Sequence, residues 1–145
     1  MRNGLAQKVV AITPPGAIVD NAAFTTAVVD TRGFALVTIV VFLGALDIAL
    51  AALKLRESNA SDMTGAVDVD GGDYSVDSTL PAATDDNKMY AIHVNTKGRK
   101  RYLDLSLTGG DGTAGTYAVA FAILSDAEEA PSSAELRGFA AELSV

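Results

Sequence analysis

The stretch GFALVTIVVFLGALDIALAALKL, residues 33–55, decides how the rest of the chain is read. It is long enough to cross a bilayer, which takes roughly 20 apolar residues. Two features break that reading. Asp47 falls where a spanning helix would lie deepest, at a cost of about 2.5–3.5 kcal/mol on insertion scales. Residues 36–43 are mostly β-branched or aromatic, and such side chains favour a pleated surface over a helix. Beyond Asp47, LAALKLRES sets Leu53 and Leu55 on one side and Lys54 and Arg56 on the other, the period of two of a half-buried strand. The stretch therefore reads as two strands joined by a turn at GALD, with no membrane partner.

The composition agrees. A chain of 145 residues is most simply one domain with its own core. It has no cysteine, so neither a disulfide framework nor a thiolate nucleophile can be built. The opening MRNGLAQKVVAITPPGA lacks the apolar segment of a secretory signal. A net charge of −7 speaks against nucleic acid as a partner, because phosphates demand a positive face. Hydrophobic residues make up 49% of the chain, but Trp is absent and Gly numbers 13, which suits thin, closely packed sheets.

Outward from the central stretch, turn-punctuated strands continue in both directions. QKVVAI at 7–12 is stopped by Pro14, Pro15 and Gly16, and AFTTAVVD at 23–30 ends at the turn DTRG. Residues 59–86 read as loops with short strands near 66–69 and 74–78. MYAIHVNT and YLDLSL both alternate and read as a hairpin around the basic turn KGRKR. In TYAVAFAIL a bulky face, Tyr117, Val119, Phe121 and Ile123, opposes an alanine face. Both faces are apolar, so the strand is expected to be covered on both sides. Some eight short strands predict an all-β fold, an antiparallel jelly-roll-like β-sandwich spanning 23–125. Residues 1–22 form an N-terminal arm with a short strand, and 126–145 an acidic C-terminal tail. In the tail, Ser132 and Glu135 form a capping-box pattern, whereas Gly138 argues against a helix, so helix and extended arm both stand.

Reactive groups are few. His93 is the only histidine and sits in an alternating strand, where it reads as an ordinary sheet residue; no triad or typical zinc site can be assembled around it, and no catalytic residue or cofactor is assigned. Asp68, Asp70 and Asp73 echo the start of a calcium loop, but Gly72, Asp73 and Thr79 stand at positions five, six and twelve, where an EF-hand needs an oxygen ligand, Gly and Glu. They are a weak calcium candidate beside the plainer reading of a solvated turn. TGGDGTAG at 108–115 is followed by a strand, so it is a hairpin loop and not a phosphate cradle. KGRKR holds four of the eleven basic residues: Lys97, Arg99, Lys100 and Arg101. Beside the reading of a solvated turn stands a salt-sensitive contact with an acidic partner surface.

VVDTRGFALVTIVVFLGAL followed by LAALKLRESNASDMTGA resembles the small β-sandwich cement, or decoration, proteins of tailed-bacteriophage capsids. The matching positions are Asp30, Thr31, Gly33, Phe42, Leu43 and Gly44, then 53–58; KRYLDLSLTGG and YAVAFAIL are similar to that group's closing strands. The likeness covers roughly 23–125. It implies a structural virion protein, made in the host cytoplasm, that binds the outer surface of a capsid as a dimer or trimer. There it bridges adjacent major capsid subunits and stabilises the expanded shell. Arg2 and Lys8 join the four cations of KGRKR as expected capsid contacts. The alternative is a carbohydrate- or calcium-binding jelly-roll module of a virion; a cupin-like enzyme, which would want at least two histidines for its metal, ranks last.

Overall fold

The computed structural model describes residues 6–14, 16–109 and 114–143. They form two antiparallel sheets packed face to face, a β-sandwich, with one short helical turn. No helix among the described residues is long and apolar enough to cross a membrane. The central stretch is divided between β5 (Phe34–Leu43) and β6 (Ala52–Ser58).

The first sheet runs in the order β1 (Lys8–Ala11), β10 (Thr116–Ala127), β5 and β8 (Met89–Asn95), with β2 (Ile18–Val19) also alongside β10. The second runs β3 (Ala23–Thr25), β9 (Tyr102–Thr108), β6 and β7 (Val67–Asp73), with β4 (Val29–Asp30) also alongside β9. Between them lies one core. Val37, Ile39, Val41 and Leu43 of β5 point in from the first sheet, and Leu53, Leu55, Leu103, Leu105 and Leu107 from the second. At about 25 cal/mol per Å² of apolar surface removed from water, such branched side chains contribute roughly 1.5–3 kcal/mol each.

None of the three expected hairpins forms, because alternation fixes which side of a strand is buried but not which strand lies beside it. β9 and β10, which flank the expected hairpin loop at 108–115, lie in different sheets. β5 and β6 lie in different sheets. The connection between them buries Leu46 and Leu50 and is held by Leu46 N–H on Asp86 and Leu50 N–H on the Pro81 carbonyl. Asp47, the charge in the apolar run, is exposed and accepts the Ala114 N–H at 2.9 Å. Likewise β8 and β9 are in different sheets, so the basic residues 97–101 occupy a crossover between layers and not a hairpin tip.

The segment 23–30 is broken into β3 and β4, and the break shows why. Thr26 N–H donates to the Leu105 carbonyl and the Leu105 N–H donates to Thr26 Oγ1, both at 3.0 Å, so a side chain replaces the backbone acceptor. The freed Ala27 N–H goes to the Ile12 carbonyl at 2.8 Å. A similar device serves the edge of the first sheet, where the Ala120 N–H donates to Thr13 Oγ1 at 2.8 Å beside Pro14. Residues 8–11 and 18–19, assigned above to an arm, thus belong to the sandwich.

Elsewhere, the short strand expected at 66–69 extends to Asp73, and 74–78 is not a strand: α1 (Tyr74–Asp77) is a single turn capped by Asp73. Three extra residues of β7 bulge out opposite β6, allowed by Gly71 at φ 79°. The C-terminal segment forms one turn, closed at Gly138 with φ 89°, and neither a helix nor a free arm. Val9 N–H donates to the Arg137 carbonyl at 2.8 Å, and a side chain at Gly138 would collide with the Val9 carbonyl. Arg137 is buried, bonded to Glu142 and to the Pro131 carbonyl.

The most consequential departure concerns β10. Its alanines, Ala118, Ala120 and Ala122, face the core together with Leu124, while Tyr117 is 61% and Val119 47% exposed. The small face of β10 is thus its core face, and the bulky face is turned out, uncovered within the described residues.

Candidate functional site

The basic crossover builds a surface site from its own ion pairs. Arg101 makes a two-pronged contact with Asp30, Nε to Oδ1 at 2.8 Å and Nη2 to Oδ2 at 2.7 Å, and lies over the Tyr102 ring at 4.9 Å. Its guanidinium, with the Arg32 N–H, holds the Asp30 carboxyl below the usual range for an aspartate. Arg99 stands 3.9 Å from Glu57, which also accepts the Lys100 N–H at 3.1 Å. Thr96 Oγ1 donates to the Phe34 carbonyl and Thr31 Oγ1 to the Arg101 carbonyl, fixing the loop at both ends.

Two of the four cations therefore hold the loop in place. The ammonium groups of Lys97 and Lys100 have no ion pair among the described residues, and Lys97 is exposed. The DTRG turn adds a cation that sequence reading took only as turn material: Arg32, Lys97, Arg99 and Arg101 line one open depression of about 470 Å³, together with one carboxylate, Glu128. The signal lay in Asp30, whose partner Arg101 is 71 residues away and brings the two basic segments together. Lys8 is not part of this site; it lies on β1 at one edge of the first sheet, whereas the crossover leaves β8 at the other. Arg2 lies outside the described residues.

The acidic candidates have other occupations. Asp68 is paired with Lys54 at 2.7 Å. Asp73 accepts the Ser75 hydroxyl at 2.6 Å and its N–H at 2.8 Å, contacts that lower its pKa. Asp70 is exposed on β7. Among the described residues no three His, Asp or Glu side chains are placed to hold one metal ion. His93 is exposed on the outer face of its sheet, its Nδ1 3.0 Å from Thr38 Oγ1. Beside it, between the edges of β7 and β8, is a cleft of about 270 Å³ lined by Asp73, Tyr74, Asp77 and His93 among others. Tyr74 is fixed there by its hydroxyl on the Ala91 carbonyl and by edge-to-face contact with Tyr90 at 5.8 Å.

On the second sheet, Arg56 and Asp104 form a two-pronged pair at 2.9 and 2.6 Å with the Asp104 side chain only 3% exposed. Such a pair orients β6 against β9 and offers nothing to a ligand. Neither the family models nor the curated proteins contain a match to this sequence.

Proposed function

We propose that this chain is a structural virion protein that binds the outside of a phage capsid, bridges adjacent major capsid subunits and stabilises the expanded shell. The resemblance of residues 23–125 to phage cement proteins points to this class. The observation that carries the reading is the basic depression: in a chain of net charge −7, Lys97 presents a cation with no ion pair among the described residues. It stands on a crossover tethered by the pairs of Arg101 with Asp30 and Arg99 with Glu57, and Arg32 of the DTRG turn lines the same depression. A rigid display of charge favours contact with a fixed acidic surface, because little ordering cost is added on binding. Repetition over a shell converts modest contacts into stable attachment.

The jelly-roll reading belongs to the same proposal. Its support is the nesting of the pairs: β6 with β7, β5 with β8, β3 and β4 with β9, β1 and β2 with β10. This is the order produced when one long hairpin is rolled over on itself.

The test is mechanical. Expanded shells lacking the protein are heated or osmotically shocked with and without it. Raised survival at saturating protein supports the reading; unchanged survival overturns it. A second reading, a carbohydrate-binding module, is favoured by Tyr74 and the carboxylates lining the cleft between β7 and β8. Saturable glycan binding that is lost on Tyr74→Ala would favour it instead.

A further inference from the structure

We propose that the outward face of the first sheet, centred on Phe42 and Val119, docks a second copy of this chain, face to face about a two-fold axis. The inference specifies the homo-oligomer of the reading above but does not depend on the capsid.

The face is assembled by strand register. Met89, Phe42 and Val119 lie side by side on β8, β5 and β10, all pointing out, with exposures of 68%, 43% and 47%. One step along, Tyr117 and Ile18 are paired and exposed by 61% and 50%. The Gly44 N–H donates to the Tyr117 carbonyl at 2.8 Å, which ties the end of β5 to β10 beside the ring. In the other direction Val40 and Phe121, then Thr38 and Ile123, continue the face half-buried.

Charge singles out the occupant. A two-fold contact lays a surface on its own copy, so any net charge meets its like. Between Thr38 and Phe42, Tyr117 and Ile123, and Met89 and His93, the outward positions hold no Asp, Glu, Lys or Arg, although the chain carries −7 overall. That face can meet its own copy without repulsion, whereas an acidic partner is matched by the basic depression at the opposite end of β5. Strands about 4.8 Å apart and a rise of about 3.3 Å per residue give the face a plan area on the order of 500 Å². With side-chain relief and the flanking Ile18, this approaches the roughly 800 Å² that a standard interface takes from each partner. It lies at the upper end of the apolar patches found on monomers.

The experiment is sedimentation velocity of the full chain from about 1 to 100 µM, with Val119→Lys and Phe42→Lys as separate variants and circular dichroism as the check of folding. A two-copy species whose dissociation constant rises at least 100-fold in a folded variant is expected. Lys97→Glu/Lys100→Glu should leave that species intact. An independent readout needs no variant: peroxide oxidation of Met89 should slow at least about 10-fold between dilute and concentrated wild type. A monomer throughout, an assembly of another number, or a dimer indifferent to both folded variants with Met89 equally reactive at all concentrations would overturn the proposal. Because no capsid is present, its failure is distinct from failure of the cement reading.

Discussion

Phe42 and Val119 sit opposite each other on β5 and β10 and both point to solvent, while their chain neighbours Val41 and Ala120, themselves a pair, point into the core. β10 thus has a tight inner side of alanines and an open outer side of large residues. Enlarging the inner side should be costly and enlarging the outer side harmless. Ala120→Leu is expected to lower stability by about 1–3 kcal/mol, as over-packing does. Val119→Leu, measured at protein concentrations dilute enough for the single chain, should change it by less than about 0.5 kcal/mol. Urea unfolding of both variants measures the contrast.

The pair between Arg56 and Asp104 predicts an unequal response to truncation. Asp104 is nearly buried and Arg56 a quarter exposed, so Asp104→Ala leaves a partly desolvated cation without its partner. The loss is expected to be about 2–3 kcal/mol, below the roughly 3–5 kcal/mol of a fully buried broken pair. Removing Lys54 from its exposed contact with Asp68 should cost under about 1 kcal/mol. Denaturant midpoints of the two variants give the comparison.

Asp30 predicts a dependence on acid. Its folded pKa lies below the ordinary 3.8, chiefly because of the Arg101 hydrogen bonds. The unfolded chain therefore takes up the proton first as pH falls, and stability present above 3.8 is lost as pH drops through the lowered folded value. Asp30→Asn should lower stability at neutral pH and flatten its decline in that acid range. Unfolding midpoints measured from pH ~5 down to ~2 show whether the slope changes.

How much of this was legible in the sequence follows from what alternation encodes. Leu53 and Leu55, and Leu103, Leu105 and Leu107, were readable as inward faces because polar residues alternate with them, whereas residues 36–43, apolar on both sides, gave a strand without saying which side is dry. Strand neighbours were not, since β5 and β6 cross between sheets through the buried Leu46 and Leu50, residues that in sequence merely extend an apolar run. β10 was ambiguous because both its faces are apolar, and no local pattern says which of them meets the core. At the candidate site, Lys97, Arg99, Lys100 and Arg101 were visible as a cluster, but Arg32 joins them only through the contact of Asp30 with Arg101. The separation of Lys8 from that cluster depends on strand order, which no local pattern carries.

The division of labour among the cations predicts how charge reversal will behave. Lys97→Glu/Lys100→Glu changes groups with no ion pair among the described residues, so thermal stability should hold within a few degrees while attachment to capsids weakens at least 10-fold. Arg101→Glu instead faces Asp30 with a like charge, and should weaken both attachment and folding. Melting curves alongside capsid binding at two salt concentrations separate the two effects.

The most direct measurement is co-sedimentation of the purified chain with expanded capsid shells lacking it, against matched unexpanded shells. The account predicts saturable binding to the expanded form at a fixed number of copies per shell, weakened by added salt. Absence of binding to either form, or equal and unsaturable binding to both, would contradict it.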